Sequence, residues 1–171
     1  MTRGGRRFVI TGLLGLGSCG FRPVYAPSGV GGPAFSKILS QIYVPVLPER
    51  SGQLLRQALQ ARMDGAGDVP VRQYELVPAL RLASEAIAIQ ADNSTSRMRV
   101  DATASWVLRA LTPTRPVVAQ GSARLLDGYN IINQQFFAAE LESDVVQRRL
   151  VAALADQIVL QLAAYFQRVT P

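Results

Sequence analysis

A strict alternation of apolar and polar residues runs through positions 97–110 and constrains the fold more than any other feature of the sequence. Polar or charged side chains occupy most of the odd positions. Successive side chains of a strand point to opposite faces, so this period of two predicts a β-strand with one face on a core and the other toward water or a partner. Apolar or small residues fill the even positions: Met98, Val100, Ala102, Ala104, Trp106, Leu108 and Ala110.

Further strands are predicted on both sides of this one. Upstream, the apolar positions keep one parity from Tyr74 to Leu82 and then switch to the other, which predicts a long strand with a bulge near Ser84–Glu85. Downstream, residues 117–127 form a third strand. The polar segments QADNSTS and LTPTRP between them are typical of turns, so the three strands form an antiparallel meander. A short strand from Ile42 to Val46 contains Pro45 and is predicted at a sheet edge.

Two segments have the apolar spacing of helices. Residues 51–64 carry apolar side chains at i, i+4 spacing, with Ser51 as a suitable N-cap. Residues 138–168 contain neither Gly nor Pro and repeat an apolar stripe of Val146, Leu150, Leu154, Ile158, Leu162 and Phe166. The predicted fold is therefore a single α+β domain, a two-layer sandwich in which two helices pack on a mostly antiparallel sheet of about four strands.

The N-terminus has the layout of an export signal. Three arginines precede a short apolar stretch, and the sequence Leu16-Gly17-Ser18-Cys19 resembles the bacterial lipobox, in which the cysteine is acylated and becomes the first residue of the mature chain. We therefore predict a lipoprotein signal peptide at 1–18, a lipidated N-terminus and flexible linker at 19–37, and a domain at 38–171. The alternative is a free thiol at Cys19. Gly20 rather than Asp after the cysteine favours the outer membrane, by analogy with lipoprotein sorting.

Composition argues against several classes of function. The formal net charge of +6 includes the three arginines of the signal, so the mature chain carries only +3, too little to indicate nucleic-acid binding. The sequence has no His and one Cys, and it contains neither a phosphate-binding loop nor a calcium-loop motif. Ser and Thr residues have no candidate base to activate them. The sequence therefore predicts a protein that is not an enzyme and holds no metal or cofactor.

The residues with the clearest binding chemistry are Arg97 and Arg99, on the polar face of the central strand beside the QADNSTS turn. The planar guanidinium group donates two hydrogen bonds at once and suits phosphate. Two other interpretations stay open. The two arginines could be solvated, or they could pair within the sheet, where Asp101 and Arg109 continue the same face.

The order of these features resembles the LptE family of lipopolysaccharide-assembly lipoproteins, in its alphaproteobacterial form. The resemblance rests on the lipobox followed by CGFRPVY, the hairpin at 86–100 and the last helix, and it covers essentially the whole mature chain. It implies a roll of two helices and four strands that sits as a plug inside the LptD β-barrel of the outer membrane, on the periplasmic side. It also implies lipopolysaccharide binding, with Arg97 and Arg99 as the cations nearest the family's basic hairpin.

A second function class shares several of these features. An auxiliary lipoprotein of a lipid-transporting ABC system would also have a lipid anchor and a small α+β domain, but its partner would be a periplasmic lipid-shuttle complex.

Overall fold

The computed structural model describes residues 33–64, 71–89, 95–131 and 136–169. These residues form three helices and four strands. Their bounds are α1 Pro33–Ser40, β1 Ile42–Tyr43, α2 Glu49–Met63, β2 Tyr74–Ile89, β3 Thr95–Ala110, β4 Val117–Asn130 and α3 Phe136–Val169.

The strands form one sheet in the order β1-β2-β3-β4. β1 pairs with β2 in parallel, and the β2–β3 and β3–β4 pairs are antiparallel. This arrangement confirms the predicted α+β class with a mostly antiparallel sheet of four strands. The pairing of β2 with β3 is regular as far as Ala86 and shifts between Ala86 and Ala88, so the irregularity lies just beyond the predicted Ser84–Glu85.

The helices cover one face of the sheet. α3 packs against β4, β3 and α2, and α2 also contacts β2. The even positions of β3 predicted to face the core are buried from Val100 to Leu108, and they meet the apolar stripe of α3. Burial of these side chains is the main favourable contribution to folding.

Trp106 packs at the centre of this layer against a glycine. On the neighbouring strand Gly121 is its direct partner, and a Cβ atom at that position would lie 2.7 Å from the indole Cζ2. The indole Nε1 donates a hydrogen bond of 2.8 Å to Gln161 Oε1, and Gln161 Nε2 donates to the Ser122 carbonyl at 2.9 Å. One side chain of α3 is thereby bonded to both β3 and β4.

Three elements differ from the prediction. α1 was not predicted, and its first residues fall within the segment 19–37 that was predicted to be a linker. The helix belongs to the domain, because Leu39 is buried and Phe35 and Ile38 pack against the core. β1 ends at Tyr43 instead of Val46, because the chain leaves the sheet before Pro45, which has no N–H to donate. α2 begins at Glu49, two residues before the predicted cap.

Ion pairs fix α2 against α3. Arg62 donates from Nε to Asp156 Oδ1 at 2.5 Å and from Nη2 to Oδ2 at 2.9 Å, and this hydrogen bonding lowers the pKa of Asp156. Arg50 pairs with Asp144 at 2.8 Å, and Arg148 also bonds that carboxylate. Residues 137–169 of α3 are long and apolar enough to cross a membrane, but half of its most apolar 18-residue window is buried inside the domain, as in the core helix of a globular domain.

We expect Gly121→Ala to lower the free energy of unfolding by about 1–3 kcal/mol, the usual cost of forcing extra volume into a packed core. The added methyl group would displace the indole of Trp106 and break its bond to Gln161. Urea titration followed by circular dichroism measures the change. Ser122→Ala is the matched control, because that side chain is exposed and the carbonyl that binds Gln161 remains. Equal stability of the two variants would contradict the role assigned to Trp106.

Candidate functional site

The sheet face away from the helices is open and polar. We call it the open face. Its side chains come from the odd positions of β2 and β3 and the even positions of β4, because the register places them in common rows. The most prominent are Arg81, Glu85, Arg97, Arg99, Asp101, Thr103, Ser105, Arg109, Gln120, Ser122 and Arg124.

Both arginines singled out from the sequence lie on the open face, near the β2–β3 hairpin. Arg99 lies directly opposite Glu85 in the register and bonds its carboxylate, so this cation is paired within the sheet. Arg97 lies between Ala88 and Asn130 and is exposed. Among the described residues no carboxylate pairs with Arg97. It is the cation at this end that is available to a ligand.

A second ion pair lies in the middle of the open face. Arg124 Nε donates to both carboxylate oxygens of Asp101, at 3.1 and 3.0 Å, and Thr103 Oγ1 donates to Oδ1 at 3.3 Å. The hydrogen bond from Arg124 is the main cause that lowers the pKa of Asp101, and Asp101 in turn raises the pKa of Arg124. Asp101 therefore stays ionised across the physiological range. Asp101 does pair within the sheet, but its partner is Arg124 on β4 and not Arg97 or Arg99.

Exposed apolar side chains gather at the same end of the domain as Arg97. Ile87 and Ile89 are 46% and 65% exposed at the end of β2, and Leu126 is 57% exposed on β4. At the start of α3, Phe137 is 82% exposed and is followed one and two turns later by exposed Leu141 and Val145. This group was not predicted from the sequence. The pattern that could have revealed it is the i, i+4 spacing of Phe137, Leu141 and Val145, which places them on a different face of the helix from the buried stripe that begins at Val146.

A cleft of about 400 Å³ lies at the other end of β2. Its walls are mostly apolar and come from residues 45–48 of the β1–α2 connection, from Glu49, Ser51 and Gly52 at the start of α2, and from residues 77–80 of β2. Glu49 is its single titratable residue, so the cleft has no acid–base pair for catalysis. No group of three or more His, Cys, Asp or Glu residues that could hold a metal ion occurs in the described part of the chain. Cys19 lies outside the described residues.

Comparison with known proteins identifies the family. The sequence profile of LptE, described as lipopolysaccharide-assembly, matches residues 39–162. The chain belongs to the LptE family. Membership confirms the resemblance seen in the sequence and gives the chain a role in lipopolysaccharide assembly. It also confirms that the chain is not an enzyme, because family members are assembly proteins. No curated protein matches the chain significantly.

Solved structures share the fold of this LptE-family chain. A Caulobacter crescentus CB15 protein assigned as a lipoprotein is 23% identical, with a TM-score of 0.59 over 78% of this chain and 97% of its own. Rare lipoprotein B from Shewanella oneidensis is 14% identical, with a TM-score of 0.54 over 76% of this chain and 97% of its own. Lipoprotein B from Nitrosomonas europaea is 12% identical, with a TM-score of 0.51 over 72% of this chain and 81% of its own.

Proposed function

We propose that this LptE-family chain is an outer-membrane lipoprotein on the periplasmic side that plugs an LptD-type β-barrel and helps assemble it for lipopolysaccharide transport to the cell surface. The observation that carries the proposal is the open face. It is polar along three long strands, whereas the opposite face is sealed by α2 and α3. The lumen of a transmembrane barrel is polar, so a plug needs a polar surface to meet it.

The details of the open face support contact with a barrel wall. Small side chains, Ala79, Ala83, Ser105 and Ser122, occupy much of it, so that another surface can approach closely. Its carboxylates Glu85 and Asp101 are each paired with an arginine of the same face. Pairing holds these side chains in place before any partner binds, which reduces the entropy lost on association.

The first test is an affinity pull-down of tagged full-length chain from detergent-solubilised outer membranes. We expect a large β-barrel protein to co-elute in stoichiometric amount. Ser105→Trp should reduce its recovery, because a bulky side chain at the centre of the open face blocks close approach, whereas Ser105→Ala should not. Recovery of an inner-membrane transporter or a shuttle protein in place of the barrel would contradict the plug and assign the chain to the auxiliary-lipoprotein class.

The lipid anchor is a separate part of the proposal. Cys19→Ala should leave an uncleaved precursor, because no thiol is then available for acylation before the signal is removed. Mass spectrometry of the membrane-extracted chain measures processing and acylation together. Ser18→Ala is the matched control, since it keeps a small residue before the cysteine. A normally cleaved and acylated Cys19→Ala chain would refute the lipobox interpretation.

Arg97 and Arg99 are proposed contacts for lipopolysaccharide phosphate or for the barrel wall. Arg97 is exposed close to Ile87 and Ile89, so this end offers a cation beside apolar side chains, a combination that suits an amphiphile with phosphates and acyl chains.

Charge reversal at both positions, Arg97→Glu with Arg99→Glu, should therefore weaken lipopolysaccharide binding at least tenfold, as measured by titration with fluorescent lipopolysaccharide. Arg109→Glu is the control, because this exposed arginine lies on the same strand and face at the far end of the sheet. Unchanged binding and unchanged yield of the barrel complex would mean that Arg97 is only solvated and that Arg99 serves only its pair with Glu85.

A further inference from the structure

The outer edge of β2 has main-chain groups without a strand to pair with. β1 pairs with β2 only at Tyr74 and Glu75, although β2 continues to Ile89. In the described part of the chain, no strand pairs with this side of β2 beyond Glu75. Residues 83–87 are exposed. Such an edge is a template for another strand.

The direction of the main-chain groups along this edge follows from Pro78. Pro78 lies opposite Trp106 in the ladder but has no N–H, so it occupies a position whose main-chain groups point away from β3. Tyr74 has the same parity, and its N–H donates toward the β1 side, to the Gln41 carbonyl at 3.3 Å. The pairing is regular up to Ala86, so Leu80, Leu82 and Ser84 also turn their N–H and C=O groups to the outer edge.

The side chains along the edge are self-complementary. Arg81 and Glu85 are exposed on the open face and lie symmetrically about Ala83. We propose that a second copy of this chain pairs with β2 in antiparallel orientation, with a two-fold axis at Ala83. Leu82 then lies opposite Ser84 of the second copy, and both residues present outward main-chain groups. Arg81 of each copy then lies opposite Glu85 of the other copy.

Charge complementarity selects this register and this occupant. Among the described residues Arg81 has no ion-pair partner, and the two-fold pairing places it opposite Glu85 of the second copy, a carboxylate that also bonds Arg99 of its own chain. A shift of two residues in either direction places Arg81 opposite Ala83 or Ile87 and loses both pairs. Strand edges that avoid association carry like charges, whereas this edge carries one charge of each sign, four residues apart.

Ile87 and Ile89 lie beyond the shift in the β2–β3 pairing after Ala86, so the regular register of the proposed pair covers residues 81–85. The cleft borders the edge at Val77–Leu80, beside residues of the β1–α2 connection, and lies outside that paired segment. This inference does not depend on the proposed partnership with a barrel.

Disulfide crosslinking of the purified full-length chain in detergent tests the register. Ala83→Cys should form a covalent dimer under mild oxidation, because residues at a non-hydrogen-bonded antiparallel pair approach within disulfide range. Ala79→Cys is the matched control on the same strand and face; in this register its two copies lie about 26 Å apart and should not crosslink. The wild-type chain, whose single cysteine is Cys19, gives the background.

A charge exchange tests the contacts. Arg81→Glu alone and Glu85→Arg alone each create two like-charged pairs, so each variant should dimerise about tenfold more weakly than wild type in light scattering. An equimolar mixture of the two variants restores two opposite-charge pairs and should recover the dimer.

Three results would each overturn the proposal. The first is a wild-type chain that stays monomeric at every accessible concentration, which would leave the edge to a different partner. The second is a dimer that crosslinks through Ala79→Cys but not through Ala83→Cys. The third is a mixture of the charge variants that dimerises no better than either variant alone.

Discussion

The attachment of α3 to the middle of the sheet through Trp106 is the interaction on which the rest of the structure depends. The indole needs a strand neighbour without a side chain, which Gly121 provides, and a polar partner for its N–H, which Gln161 provides. The Nε2 of the same amide donates to the Ser122 carbonyl on β4, so one residue of α3 is bonded to two strands. Because α3 is fixed at this point, its apolar stripe covers one face of the sheet and leaves the other uncovered.

The division of the sheet into a sealed face and an open face gives the chain two surfaces of different chemistry. A sheet with one covered face can keep a polar opposite face without loss of core, since the two sets of side chains alternate along every strand. The pairs Arg99–Glu85 and Arg124–Asp101 lie entirely on the open face, so they organise that surface and add little to folding. The chemistry of an assembly protein thus lies in a surface, and a search for catalytic motifs could not have located it.

The sequence predicted the parts of the fold that depend on regular spacing. The alternation in β3 and the breaker-free stripe of α3 were sufficient for the α+β class, because each pattern fits only one kind of element. α1 was missed because its helix is short and follows a segment rich in Gly and Pro, and only its packing against the core distinguishes it from a linker. The partner of Arg99 could not be read from the sequence either. It depends on the register that places Glu85 opposite, and a shift of one residue would have moved Glu85 to the other face.

The open face and the β2 edge share Arg81 and Glu85 but have different consequences for assembly. Pairing at the edge joins two sheets of four strands into one of eight and leaves both open faces uncovered. In the proposed plug, a lumen that accommodates one four-stranded domain has no room for an eight-stranded sheet, so the proposed self-paired form would belong to chains outside the barrel. Entry into a barrel then requires that the edge contacts dissociate. Arg81 lies on the open face as well as beside the edge, so Arg81→Glu acts on both surfaces, whereas Ser105→Trp on β3 acts on the open face alone.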